Sequence, residues 1–219
     1  MPGSWLHLVC IYYNQAMSAK AAFPVLWDAL KLWWEDWSNQ VLVALIALLL
    51  SLSVVLYPAA IFGVYEQALD LTHGVRTSIV GFWKGFKGHL RQSLPWGLLN
   101  LFVLALQAFN VWFYRNVDHP IALPLMILML GLGLFWLVWQ FFSVNCFFLQ
   151  EEKKLIIAWK NGLAVMLLHP GFTALIALAV LILLGLSVTT FIPFFLGSVP
   201  LIAILGLRAV QTTIKQDES

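Results

Sequence analysis

The chain is predicted to be an all-α integral membrane protein with about five transmembrane helices and further amphipathic helices at the membrane interface. Three observations point there. Ala, Val, Ile, Leu, Met, Phe, Trp, Tyr and Cys fill 62% of 219 positions and charged residues only 10%, against roughly 45–50% apolar and about 25% charged in soluble domains. The uncharged stretches are long enough to cross a bilayer. The basic residues gather between alternate stretches, as expected when Lys and Arg stay on the cytoplasmic side.

Residues 1–36 read as an N-terminal extension followed by an interfacial helix. No basic stretch precedes a short apolar run near Met1, so no cleavable signal is expected, and residues 1–16 read as an upstream extension of a frame that starts at Met17. Between Val25 and Trp37, Leu26, Leu30, Trp33, Trp34 and Trp37 share one helical face while Asp28, Lys31 and Glu35 share the other. Indole rings favour headgroup depth, so this segment is expected to lie on the outer membrane face and orient the first span.

Residues 37–209 form the membrane domain. Cutting at charges leaves uncharged runs from Trp37 to Tyr65, Gln92 to Tyr114, His119 to Gln150 and Asn161 to Leu207. The last, residues 161–207, is roughly 70 Å long as a helix, against a hydrocarbon core of about 30 Å. It must fold back, and Ser187-Val-Thr-Thr-Phe-Ile-Pro193 offers the turn. Spans are expected near 40–62, 94–114, 121–147, 172–189 and 191–208, with a cytoplasmic tail at 210–219. Nine of the twelve basic residues, Arg76, Lys84, Lys87, Arg91, Lys153, Lys154, Lys160, Arg208 and Lys215, follow spans one, three and five. Their placement predicts an outside N-terminus and a cytoplasmic C-terminus.

The segment from Val75 to Arg91 sorts into three helical faces. Val75, Ile79, Phe82, Trp83, Phe86 and Leu90 form an apolar face, Arg76, Lys84, Lys87 and Arg91 a basic one, and Gly81, Gly85 and Gly88 a third. Aligned glycines imply that another helix backbone comes close. Two readings stand: a surface helix held by anionic headgroups at about 1 kcal/mol per basic residue, or a docking site for a second membrane protein. A second amphipathic stretch, Leu155 to Leu168, is expected to complete a cytoplasmic platform.

Ser51-Leu-Ser-Val-Val-Leu-Tyr-Pro-Ala-Ala, Phe82-Trp-Lys-Gly-Phe-Lys-Gly-His-Leu-Arg-Gln-Ser, Phe147-Phe-Leu-Gln and Lys154-Leu-Ile-Ile-Ala-Trp-Lys-Asn-Gly resemble the YesL-like family of bacterial membrane proteins over roughly residues 37–209. The chain departs from the family pattern at Ser53, usually Pro, and at Tyr57-Pro58, usually Gly-Pro. The resemblance implies a multi-pass inner-membrane protein associated with ATP-driven carbohydrate uptake, with a sugar-transporter permease as partner. It brings no catalytic residues.

Chemistry-bearing motifs are sparse. His7, His73, His89, His119 and His169 stand apart from other ligand-type residues, so no metal site is expected. Cys10 and Cys146 lie far apart and suggest no disulfide framework. No phosphate-cradling loop, paired aspartates or nucleophile with a base stands in a span, so the chain is expected to be neither an enzyme nor a cofactor binder. The small net charge gives no basis for nucleic-acid binding. Inside the membrane, Asn100, Gln107, Gln140, Ser143 and Asn145 remain. They either join helices by hydrogen bonds at about 0.6 kcal/mol each or, with Trp96, Trp112, Trp136 and Trp139, line a site for a neutral polar ligand. The two functions left open are an accessory or scaffold subunit and a small channel or facilitator.

Overall fold

A computed structural model describes residues 19–76, 78–190 and 197–217. Residues 1–18 lie outside it, as does the part of the expected turn at 191–196. All regular elements among the described residues are helical: a 3₁₀ turn at Ala19–Ala21, then α1 (Ala22–Glu35), α2 (Trp37–Ser51), α3 (Tyr57–Thr72), α4 (Ile79–Gly88), α5 (Leu90–Arg115), α6 (Ala122–Leu149), α7 (Leu155–Leu168), α8 (Pro170–Thr190) and α9 (Ser198–Asp217).

Helices α5, α6 and the Pro170–Ser187 part of α8 are long and apolar enough to cross a membrane. Their number, length and composition are consistent with a membrane protein. The first expected span is not one rod. It breaks at residues 52–56 into α2, of 15 residues, and α3, of 16, each about 22–24 Å long. Pro58 explains the restart, since it lacks an N–H and fits the first turn of a helix, where that donor has no partner. α3 then continues through Glu66 and Asp70 to Thr72, beyond the end expected from hydropathy.

The core gathers around α9, which packs against α1, α2, α3, α6 and α8. Ala203, Ile204, Leu205, Leu207, Ala209 and Val210 are buried, as befits a helix with neighbours on every side. α9 continues to Asp217 through positions expected as a cytoplasmic tail, and Val210 and Thr213 there are buried in the bundle.

The buried stripe of α1 is Ala22, Val25 and Ala29, while Trp27, Leu30 and Trp34 point outward. Small residues let α1 approach α9 closely. Ala19 touches the ideal Cβ position of Gly171 at the start of α8. At the other end, Trp33 Nε1–H donates to the Gly197 carbonyl at 3.2 Å, beside Ser198, whose hydroxyl meets that of Ser187 at 3.0 Å near the far end of α8. α1 therefore runs alongside α8 in the same direction.

Packing is concentrated at one end. The second half of α6, from Gln140 to Phe148, is buried, whereas its first half exposes Leu123, Ile127, Leu130, Leu134 and Phe135. Only 6% of the most apolar stretch of α6 is buried within the chain, and 17% of that of α5. These two helices form a hairpin that extends beyond the bundle with its apolar side chains outward.

Backbones meet at glycines. A Cβ on Gly85 would overlap Glu66 Cβ, one on Gly97 would overlap the Pro58 ring, and one on Gly206 would overlap the Asn145 side chain. A Cβ on Gly162 would stand 2.7 Å from the Ser143 nitrogen. By contrast, Gly131 and Gly185 face open space. Gly162→Val should lower the melting temperature in a fixed detergent by an amount equivalent to about 1–3 kcal/mol, the usual cost of overpacking. Gly131→Ala should be neutral or stabilising by up to about 1 kcal/mol. Equal melting temperatures for the two variants would contradict this packing.

Candidate functional site

Two sets of side chains stand out, one at the basic end of the bundle and one inside the apolar layer. The first begins with α4. Gly74, at φ 79°, turns the chain after α3, and the Ser78 hydroxyl accepts from Gly81 N–H at 3.1 Å to start the helix. α4 packs against α3, with Gly81 beside Asp70 and Gly85 against Glu66 and Gly63. The helix that approaches the glycines thus belongs to the same chain. The Gly81–Gly85 face is closed and is not a free docking surface, while Gly88 looks into open space. Arg76, Lys84, Lys87 and Arg91 all remain exposed.

Glu66 links this helix to its neighbours. His89 Nε2 lies 3.2 Å from Glu66 Oε2, and His89 Nδ1 lies 3.0 Å from Gln92 Oε1. The Gln92 amide orientation is set by its own donation to the Lys153 carbonyl at 3.5 Å. With acceptors at both ring nitrogens, the doubly protonated imidazolium is the form that satisfies the site. The hydrogen bond to Glu66 accordingly raises the His89 pKa above its ordinary value despite desolvation, and the same bond lowers that of Glu66. Lys84 Nζ adds a looser contact to Glu66 at 3.9 Å, with 74% of its side chain exposed. Burial lowers the pKa of Lys153, whose ammonium donates to the Phe148 carbonyl at 2.7 Å. The imidazole is also packed against Phe62, Phe147 and Phe148. The sequence leaves His89 isolated from other ligand-type residues, since its charged partner Glu66 lies 23 residues upstream, a separation that carries no periodic signal.

The second set is a network of indoles and amides. Trp96 Nε1–H donates to Gln140 Oε1 at 2.9 Å, and Trp159 Nε1–H donates to the same oxygen at 3.2 Å. Trp136 Nε1–H donates to Asn100 Oδ1 at 3.0 Å, and Asn100 Nδ2 returns a bond to the Trp96 carbonyl at 2.8 Å. Trp139 Nε1–H reaches the Trp159 carbonyl at 2.9 Å. α7 is held to α6 through these indoles and through Gly162 on Ser143. Apart from Lys160, which is exposed, and Asn161, its residues are apolar or small, and Ala158 and Gly162 are the buried ones.

Asn100 and Gln140 therefore meet around one cavity of about 180 Å³, together with Tyr57, Tyr65, Trp96 and Ile202. Gln107 and Asn145 do not join it. Gln107 packs beside Gly133 on the protruding hairpin, and Asn145 faces Gly206 while donating to the Phe141 carbonyl at 2.7 Å. Trp112 is exposed on α5. Trp159 and the two tyrosines were not among the amides and indoles that the sequence singled out. Among the described residues no three His, Cys, Asp or Glu side chains converge in a way that could hold a metal ion. No family model matches the chain, and neither a search of curated proteins nor one of solved structures finds a match.

The charged pair gives a pH dependence with a definite sign. Because Glu66 is lowered on folding, its contribution is complete above its unfolded value of 4.5 and fades as pH falls through the lower folded value. Because His89 is raised, its contribution is complete below 6.5 and fades as pH rises through the higher folded value. Stability from this pair should peak between those two values, and His89→Gln should flatten the melting-temperature profile on the alkaline side. An unchanged profile in the variant would remove the pair from any role in stability.

Proposed function

We propose that the protein is a non-enzymatic accessory or scaffold subunit of a membrane transport assembly, with a carbohydrate-uptake system as its setting. The observation that carries this reading is the α5–α6 hairpin, which extends from the bundle with nearly all of its apolar surface outside the chain's own core. Close to its base lies the exposed row of Lys84, Lys87 and Arg91. A subunit that binds a permease needs both an apolar surface within the bilayer and a polar determinant at its edge, since lipid tails compete equally for apolar contact. The carbohydrate setting and the permease as partner rest on the YesL-like resemblance alone.

The basic end is assigned to the cytoplasm by the preference of Lys and Arg for that side, where anionic headgroups add attraction. The protein then sits in a bacterial inner membrane with about five apolar crossings, made by α2 with α3 and by α5, α6, α8 and α9, and with a cytoplasmic C-terminus. Since α1 starts beside the start of α8, this orientation also brings Lys20 to the cytoplasmic end. α1 then leads outward ahead of the five crossings, so that they start on the outer side and end with the cytoplasmic C-terminus.

A second reading, a facilitator for a neutral polar solute, is favoured by the meeting of Asn100 and Gln140 at one cavity. The two readings separate in one experiment. Tagged protein expressed at its natural level and captured in mild detergent should bring down a permease in stoichiometric amount, and Lys84→Glu/Lys87→Glu/Arg91→Glu should reduce recovery at least tenfold without changing the melting temperature. Recovery of the protein alone would overturn the accessory reading and favour the facilitator.

A further inference from the structure

The cavity beside the indole–amide network is open toward the bilayer. Its rim is formed by Leu104, Leu137 and Leu184, which are 40%, 39% and 42% exposed and belong to α5, α6 and α8, the three helices of spanning length. Its floor carries Trp96, Asn100 and Gln140, all less than 9% exposed. A molecule dissolved in the membrane can therefore enter sideways, between leucines, and meet polar groups inside.

The chemistry of the floor is one-sided. Two indole N–H groups occupy Gln140 Oε1, which fixes the orientation of the carboxamide and leaves Nε2 as its other half. That nitrogen has no partner among the described residues and exposes less than 1 Å² of its own surface, so an acceptor meets it by displacing the side chains that cover it. An unsatisfied donor in an apolar interior costs about 1–3 kcal/mol, so the group favours an incoming acceptor oxygen. A charged oxygen would lose its hydration without a cation to replace it, and no Lys, Arg or His lines the cavity. The ligand is neutral.

Size and depth narrow the class. A dry cavity of ~150 Å³ holds one benzene, so about 180 Å³ takes a single ring or a short branched segment, with any longer tail left outside the leucine rim. Gln140 stands nine residues before the end of α6, about 14 Å along the helix axis, so the oxygen must be carried below the headgroups. We infer that the Gln140 cavity binds a neutral, carbonyl- or hydroxyl-bearing amphiphile taken from the bilayer, with its head on the amide and its apolar tail between Leu104, Leu137 and Leu184. An isoprenoid quinone and a neutral acyl lipid share this chemistry. The inference stands apart from the accessory role and needs no permease.

The test uses full-length protein, stripped of endogenous lipid in detergent. It is titrated separately with a short-tailed benzoquinone, a monoacylglycerol and decane, and followed by the rise in melting temperature and by indole fluorescence. At least one oxygen-bearing probe should bind saturably at one per chain, and Ala177→Phe, which fills the cavity, should weaken it at least tenfold. Gln140→Leu should weaken that probe about tenfold while leaving decane unchanged. Saturable binding of the quinone alone identifies a quinone as the source, and of the monoacylglycerol alone an acyl lipid. Non-saturable partitioning that Ala177→Phe does not alter would overturn the site. If Gln140→Leu fails to fold, the Ala177→Phe comparison still decides whether the site exists.

Discussion

Close approach of helix backbones at glycine is the interaction on which the rest of the structure depends. In a bilayer the lipid tails are as apolar as leucine, so burying an apolar face gains little, and helices associate through dense contact and hydrogen bonds. Gly85 on Glu66, Gly97 on Pro58, Gly162 on Ser143 and Gly206 on Asn145 each remove the side chain that would keep two helices apart. The neighbouring side chains then come within range. Glu66 reaches His89 because α4 lies hard against α3, and the Trp159 indole reaches Gln140 because α7 lies hard against α6.

The polar groups follow from that closeness and set its limits. At the charged end, the Glu66–His89–Gln92 chain continues to the Lys153 carbonyl and so ties α3 and α5 to the turn between α6 and α7. Deeper in, two indole N–H groups share the Gln140 amide oxygen and a third reaches that of Asn100, which converts tryptophan from a bulky apolar residue into a directional link. The pattern stops where the packing stops. Beyond Asn100 and Gln140 the α5–α6 hairpin leaves the bundle, and its remaining polar groups, such as Asn110 beside Met129, make contacts only within the hairpin.

Much of the fold was legible in advance because it depends on composition and on charge. The apolar runs and the turns between them locate α5, α6 and α8 without knowledge of any neighbour. The breaks were harder. Pro58 reads as an interruption near the end of one span, yet it opens a new helix in which Glu66 pairs with His89 and Asp70 stands beside Gly81 of α4. The packing face of α1 was harder to see, because tryptophans dominate any projection while the stripe that packs consists of Ala22, Val25 and Ala29, whose importance lies in being small.

The candidate site shows the same division. Asn100 and Gln140 could be singled out from sequence as amides in apolar spans, and the glycines of α4 as marks of a close neighbour, because both are unusual for their surroundings. Which helix fills the glycine face, which indoles bind which amides, and that Gln107 and Asn145 stand apart from the cavity were decided by the tertiary structure. The sequence by itself determined that the chain belongs in a membrane, that it is helical and where its basic residues cluster, since these follow from the transfer of each segment between water and lipid. Partners at separations of 23, 44 and 61 residues leave no periodic trace, and only the crossing of helices brings them together.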